Sequence, residues 1–365
     1  MRFTIVTPSY GQLDWLKLCV ASVRDQVATR AETGNLSLSA GQAEAAPEFS
    51  IEHIVQDAGT PGIEEFARQM GAGFYQDGKR VFGFQCSVDG EFVGAEDTKV
   101  DSAQCTSWSP RRPVSSNLGS VDGESVGAEG ESVESKGYSL TIYSEKDEGM
   151  YDAINKGLRK ATGDICAYLN CDEQYLPRTL RWVADYLSVS PETQVLFGAA
   201  IVTRADGSYV CDRRVMVPGD WHTRVSGNLS FFTAATFFRN ALVSRDKLYF
   251  DTAWKALGDA VWGLSLLKAR VSMTAVDRPL AIHTDTGNNL ILSDMAIREK
   301  AQLEATASPL VAKAKKLIIF LYRLRRFIGG SYFLVPHQYQ IYTVEAPEHR
   351  KTFTVNKPTH HWSGR

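Results

Sequence analysis

The sequence predicts an α/β protein with a mixed, mostly parallel sheet flanked by helices, and three stretches carry that prediction. Ser144–Glu173 reads as a strand end, an acidic turn, an amphipathic helix, a short linker, a second apolar strand and an acidic terminus. Phe3–Thr7 is an apolar strand closed by Pro8-Ser9-Tyr10-Gly11 and followed at once by a helical pattern. Ile51–Asp57 is another strand, ending in a carboxylate and turning through Ala58-Gly59-Thr60-Pro61-Gly62 into a helix. Strands alternating with helices make parallel sheets, and open parallel sheets bind ligands beyond the C-terminal ends of their strands. That is where this chain concentrates carboxylates.

The elements follow in order. After the first strand, a helix from about Leu13 to Val27 turns Leu16, Val20 and Val23 to one face. Ala28–Glu48 is rich in Ala, Gly, Ser and Thr and reads as a loop or insertion. The second strand leads into a helix at Ile63–Met70. From Gly71 to Gly137 no helical or strand period is sustained, and Ser87–Glu96 recurs almost unchanged as Ser120–Glu129. Two copies do not make a solenoid, so the segment reads as a duplicated surface insertion. Its Phe74, Tyr75, Phe82, Phe84 and Trp108 suit either a packed hairpin or a contact surface.

Tyr138–Tyr143 resumes the sheet. In the following helix Tyr151, Ile154 and Leu158 share one face and Lys156, Arg159 and Lys160 the other, with Thr162-Gly163 as the stop. Ile165–Leu169 is apolar throughout, as a strand buried on both faces must be, and runs into Asn170-Cys171-Asp172-Glu173. Pro177 is read as a helix start, with Leu180, Val183 and Leu187 facing the core. Gln194–Thr203 and Ser208–Val217 form a hairpin about Ala205-Asp206-Gly207. Asn228–Asn240 is an aromatic, strand-like run whose phenylalanines read as core. Ser272–Ile282 is a further strand, Ser293–Ala314 a polar helix, and 313–329 a basic, apolar helix. The tail beyond Pro336 has no readable role.

Composition limits the function classes. The 365 residues, 44% hydrophobic and 22% charged, are ordinary for a globular protein, and a net charge of −2 gives no support for nucleic-acid binding. Six cysteines form no C-x-x-C pair and no zinc spacing, which fits reduced thiols. Met1-Arg2 runs straight into a strand with no leader-like apolar region, and no stretch reaches the ~20 apolar residues of a membrane span. The expected location is cytoplasmic.

The segment DEGMYDAINKGLRKATGDICAYLNCDE resembles family 2 glycosyltransferases, in which a D-x-G-x-YDAxNKG helix precedes a strand ending in an N-x-D-D form of the DXD motif. The likeness extends, with gaps, over 1–290. It implies a GT-A fold and inverting sugar transfer of the polysaccharide-building, cell-envelope kind, from a nucleoside-diphosphate sugar, most commonly a UDP sugar, to a hydroxyl. It implies that Asp172, with Glu173 or Asn170, holds Mg²⁺ or Mn²⁺ against the diphosphate, and Asp172-Glu173 replaces the family's paired aspartates. Thr7, Pro8, Ser9 and Tyr10 correspond to the nucleotide-binding opening, and Asp57 to the aspartate that meets the base. An Asx turn beside Gly59 is the other reading of Asp57. Asp147, Asp152 and Asn155 would shape the donor pocket, with Lys156 either approaching the phosphates or solvated. Asp259, in Leu257–Trp262, corresponds to the general base, although an N-cap role fits the same residue. His283 is a further metal or diphosphate contact, or a structural histidine.

The expected organisation is a catalytic domain at 1–290 interrupted by the insertion at 71–137, a helical extension at 291–335 and a tail at 336–365. The acceptor would be a saccharide or a lipid-linked hydroxyl. Residues 313–329 suit either an anionic membrane surface, at its inner face, or packing on the domain. Two rivals remain: a nucleotidyltransferase, which normally needs a Gly-rich basic loop after the first strand, and an inactive sugar-nucleotide-binding scaffold. The absence of G-x-G-x-x-G after that strand argues against a dinucleotide dehydrogenase.

Overall fold

The computed structural model describes residues 1–27, 49–83, 137–287 and 293–362. The loop expected at 28–48 and the repeated segment, with Phe84 and Trp108, lie outside the described residues. The elements run β1 (Arg2–Ser9), α1 (Leu13–Arg24), β2 (Ser50–Asp57), α2 (Ile63–Gln69), β3 (Gly73–Gln76), β4 (Lys79–Phe82) and β5 (Tyr138–Ser144). Next come α3 (Met150–Lys160), β6 (Ile165–Tyr168), β7 (Glu173–Tyr175), α4 (Thr179–Val189), β8 (Val195–Arg204), β9 (Tyr209–Arg213), α5 (Asp220–Ser226) and β10 (Thr236–Arg239). The last are α6 (Ala241–Ser244), α7 (Gly258–Lys268), β11 (Met273–Asp285), α8 (Asp294–Ala305), α9 (Pro309–Lys313), α10 (Lys315–Ile328), β12 (His337–Thr343) and β13 (Ala346–Val355).

The main sheet has the order β4-β3-β5-β2-β1-β6-β10-β8-β11-β7, with β9 paired to β8. From β3 to β6 every neighbour is parallel. β10 runs against both β6 and β8, and β11 is parallel to β8. The sheet is therefore mixed and mostly parallel, as the sequence predicts. β1, β2, β5, β6, β8 and β11 all end on one edge.

Two layers of helix sandwich it. On one face Phe3, Ile5, Ile165 and Ala167 meet Cys19 and Val23 of α1 and Leu180, Val183 and Leu187 of α4. On the other, Val6, Cys166 and Tyr168 meet Tyr151, Ile154 and Leu158 of α3 and Trp262 and Leu266 of α7. Gly157 permits this contact, because a Cβ there would stand 2.4 Å from Val6 Cγ1. The four described cysteines are free thiols, all buried.

Several expectations need correction. Residues 73–82, expected inside the insertion, belong to the sheet, and of the two readings the packed hairpin is the one that forms: β3 pairs with β5 and β4, and Phe74 stacks on Phe82 at 5.3 Å. Proline fixes no helix start at Pro177; Arg178 takes a left-handed φ of 64° and α4 begins at Thr179. The polar helix expected at 293–314 is two, because Pro309 cannot donate the hydrogen bond that would continue α8. The tail is not featureless. β12 and β13 form a hairpin whose Tyr339, Ile341 and Val355 pack on Leu176, Ile201 and Ile282. Arg350 clasps Asp25, with Nη2 to Oδ1 at 2.9 Å, and donates to the Tyr175 carbonyl at 2.9 Å. Among the described residues no helix is long and apolar enough to cross a membrane.

Candidate functional site

The strand ends bring acidic groups together on one edge of the sheet. Asp57 closes β2 and is fully buried. Its Oδ2 accepts from Gly59 N at 2.8 Å, Thr60 N at 2.9 Å and Ser144 Oγ at 3.2 Å. The Asx turn is thus real, yet it uses only one oxygen. Oδ1 is buried and has no partner among the described residues. A buried acceptor left unmatched costs about 1–3 kcal/mol.

From β6 the chain crosses from the middle of the sheet to its far edge at β7, and the crossing is Leu169–Asp172. The turn is closed by Glu173 N to Asn170 O at 3.0 Å and Asn170 N to Glu173 Oε2 at 3.0 Å. Register then sets Glu173 opposite His283 on antiparallel β11, and Nδ1 of the histidine meets Glu173 Oε1 at 2.9 Å. Both oxygens of the buried Glu173 are therefore engaged. Glu173, expected as a metal contact, here holds the turn and the histidine. Asp172 is partly buried, and the hydrogen bond that lowers its carboxyl comes from its own backbone. Burial pushes its carboxyl up to about 6, the Glu173 charge adds to this, and His283 opposes it. Asn170 Oδ1 is also buried and has no partner among the described residues.

Nδ1 of His283 faces Glu173 and Nε2 is left outside that contact, the arrangement in which a carboxylate orients an imidazole. Phe232 and Trp362 flank the ring at 5.4 and 5.6 Å. Trp362 is itself tied to Asp285 Oδ2 at 2.8 Å, so the tail forms one wall of the site. Among the described residues no three His, Cys, Asp or Glu side chains gather into a closed metal cage. The Asp172 carboxylate, the amide oxygen of Asn170 and the His283 imidazole are atoms of the kind that suit a hard divalent cation. Such ions commonly take one or two protein carboxylates and complete their shell with substrate phosphate and water.

Asp259 sits in the first turn of α7. The N-cap is Leu257, so the capping reading of Asp259 falls; its Oδ1 accepts from Ala260 N at 2.8 Å. A Cβ at Gly258 would lie 2.6 Å from the Tyr151 ring. Glycine therefore lets Tyr151 reach the helix start, where its hydroxyl accepts Asp259 N–H at 3.2 Å and hydrogen bonds to the carboxylate. Burial pushes the Asp259 carboxyl up to about 6 against those hydrogen bonds, with Glu173 adding repulsion. The same charges reach Tyr168, whose hydroxyl burial, Asp259 and Glu173 all raise. Asp259 and the Asp172–Glu173 turn thus act within one electrostatic field.

Sequence reasoning missed what holds Asp259 in place. Glu299 of α8 accepts Lys255 N at 2.6 Å, Ala256 N at 2.9 Å and Leu257 N at 2.8 Å, gathering the loop before α7 onto one buried carboxylate. Its partners are main-chain groups, which leave no trace in sequence. Tyr151 was legible only as a core residue.

Other expected site residues have internal partners. Thr7 Oγ1 bonds the buried His53 at 2.9 Å, so its hydroxyl faces the core. Pro8 and Ser9 are buried at the strand end while Tyr10 is 76% exposed. Asn155 uses both side-chain atoms on the Phe250 backbone, 2.8 Å to its O and 3.0 Å from its N, which locks α3 to the segment before α7. Asp147 accepts Gly149 N, Asp152 accepts Glu148 N, and Lys156 donates to Lys146 O at 2.6 Å; the three together brace the acidic turn. Arg239 caps α4 through the Leu187, Ser190 and Thr193 carbonyls. A cleft of about 510 Å³ beside Asp57 is lined by Thr60, Arg68, Gln76 and Ser144.

Residues 133–250 match the family model described as glycosyl transferase family 2, a span that includes α3, Asn170 and Asp172 but not Asp57, Asp259 or His283. No curated protein matches the chain. Among solved structures, S. aureus TarS 1–349 in complex with UDP-GlcNAc is similar over 90% of this chain and 73% of that one, at 14% identity and a TM-score of 0.45. The mannosyltransferase PcManGT from Pyrobaculum calidifontis, in complex with GDP-Man and Mn²⁺, is similar over 88% and 75%, at 13% identity and a TM-score of 0.45. At that distance neither structure fixes a role for any residue here.

Proposed function

We propose, for a glycosyltransferase with the family 2 signature at residues 133–250, that it moves a sugar from a nucleoside-diphosphate sugar to a hydroxyl acceptor with inversion. The observation that carries this reading is Asp259: a carboxylate pushed up to about 6, braced by Tyr151, standing in the field of the Asp172–Glu173 turn. A sugar hydroxyl is a poor nucleophile. Asp259 takes its proton as the oxygen attacks the anomeric carbon, the bond from that carbon to the diphosphate breaks on the opposite side, and the nucleoside diphosphate departs. A base at about 6 is ionised at neutral pH and still basic enough to accept that proton.

Asp172, Asn170 and His283 would hold Mg²⁺ or Mn²⁺. Such a cation, when bound, supplies positive charge to the leaving diphosphate. Glu173 orients His283 and fixes the Asn170–Asp172 turn. Asp57 reads the base through the free Oδ1, which accepts but cannot donate. Uracil, thymine and guanine each present a ring N–H to such an atom; adenine and cytosine do not. A saccharide or a lipid-linked hydroxyl would approach from the Asp259 side.

The test is thermal stability with UDP, GDP, TDP, ADP and CMP, each with and without Mn²⁺. A ligand that binds only the folded state raises the melting temperature. The reading expects a Mn²⁺-dependent rise for a uridine, thymidine or guanosine diphosphate. No rise with any of them would refute it.

A further inference from the structure

The helix α10 is built inside out. Its apolar residues Leu317, Phe320, Leu321, Leu324, Phe327 and Ile328 fall at i, i+3, i+4, i+7, i+10 and i+11, a single stripe along one face. That stripe points to solvent: the six residues are between 40% and 76% exposed. The opposite face packs on α5, with Tyr322 stacked on His222 at 3.6 Å and the buried Arg326 donating to the Arg214 carbonyl at 3.1 Å. An arginine faces inward while leucine and phenylalanine face out. Trp221 of α5, Leu310 of α9, Phe333 and Val335 add further exposed apolar side chains nearby in the chain or on the packed helix.

Charge identifies the occupant. Between Glu304 and Glu345 the chain holds no acidic residue, but it carries Lys313, Lys315, Lys316, Arg323, Arg325 and Arg326. Lys316 and Arg323 border the apolar stripe on one side and Arg325 on the other. We propose that α10, with the neighbouring exposed residues, is a docking surface for an anionic lipid bilayer, lying in its interface with the stripe inserted and the basic borders at the headgroups. A second copy of this chain would bring the same cations against themselves. The acidic segment 84–136, rich in Gly and Ser, offers few large apolar side chains to meet six. The inference does not depend on the transfer reaction, but α10 packs on α5 and α5 on α7, so the face is two helices from Asp259.

The experiment is co-sedimentation of the full chain with vesicles of phosphatidylcholine alone or of equimolar phosphatidylcholine and phosphatidylglycerol. The chain should sediment with the anionic vesicles only, and each basic border residue lost should weaken binding roughly fivefold. Leu321→Glu/Leu324→Glu should lose binding at least about tenfold, and Lys316→Glu/Arg323→Glu should lose it too. All four positions are exposed, so both variants should melt like the parent and keep any nucleotide-dependent rise. No sedimentation of the parent, or undiminished sedimentation of the Leu321→Glu/Leu324→Glu variant, overturns the proposal. So does a dimer in light scattering that the variant converts to monomer.

Discussion

Replacing Asp259 by asparagine separates two consequences that usually travel together. The carboxyl is raised from 3.8 to about 6, chiefly by burial. At a little over 1.3 kcal/mol per pH unit, ionising it in the folded protein costs at most about 3 kcal/mol, and less where solvent screens it. The sign follows from proton counting. Between pH 4 and 6 the folded state binds the proton more tightly than the unfolded chain, so this group stabilises below 4 and that contribution is lost as pH rises through 6. Asparagine keeps the shape and the acceptor for Ala260 N–H without the charge. Asp259→Asn should therefore match the parent in urea denaturation near pH 4 and exceed it by about 1–3 kcal/mol above pH 7. Turnover should fall about 10²–10⁴-fold while nucleotide binding persists. The assay pairs urea titrations across pH with release of nucleoside diphosphate from the donor that the nucleotide panel selects. A variant that is no more stable at pH 8 than at pH 4, relative to the parent, refutes the burial argument; one that turns over normally refutes the base.

Four further outcomes follow from the geometry. Asp172→Ala should abolish the Mn²⁺-dependent part of the thermal rise and leave any metal-free part, read by the same melts. Asp57→Asn replaces an acceptor with a group that also donates, and should weaken binding of the preferred nucleoside diphosphate about tenfold or more in calorimetry. Glu299→Ala orphans three backbone N–H groups and should cost about 2–5 kcal/mol in urea denaturation; a loss under 1 would mean water replaces the carboxylate. Arg350→Met leaves Asp25 without its cation at a site where the arginine is 9% exposed, and should cost about 2–4 kcal/mol and expose the β12–β13 hairpin to protease.

The parallel half of the sheet is legible because burial on both faces forces unbroken apolar runs, as in Ile165–Leu169, and because each run ends in a polar turn. Asp57 and Asp172 are legible for the same reason: strand ends announce themselves. The hairpin of β12 and β13 was readable in principle, since Tyr339, Ile341 and Thr343 alternate with other residues, but β13 carries Glu348, Arg350 and Lys351 and does not stand out as core. Nothing local reveals that Glu173 faces His283. That pairing is a register between strands that are neighbours only in space. Nor does the YDAINKG helix show that Asn155 spends its amide on Phe250, because the partner is main chain. The inverted α10 was visible as a pattern, but sequence periodicity says only that a stripe exists, not which way it turns.

Assembly by distant partners has a kinetic side. Glu173 and His283 are 110 positions apart, and Arg350 closes on Asp25 across 325. Chains whose decisive contacts are so remote along the sequence fold slowly, since loop closure must precede any gain from the contact. Between 165 and 213 only β8 and β9 pair with each other, as a local hairpin, while β6 and β7 need β1, β10 and β11 from elsewhere in the chain. A nucleotide analogue that needs Asp172, Asp259 and His283 together would be blind to every partly folded species, and the rate at which its signal appears on refolding would time the final closure of the molecule.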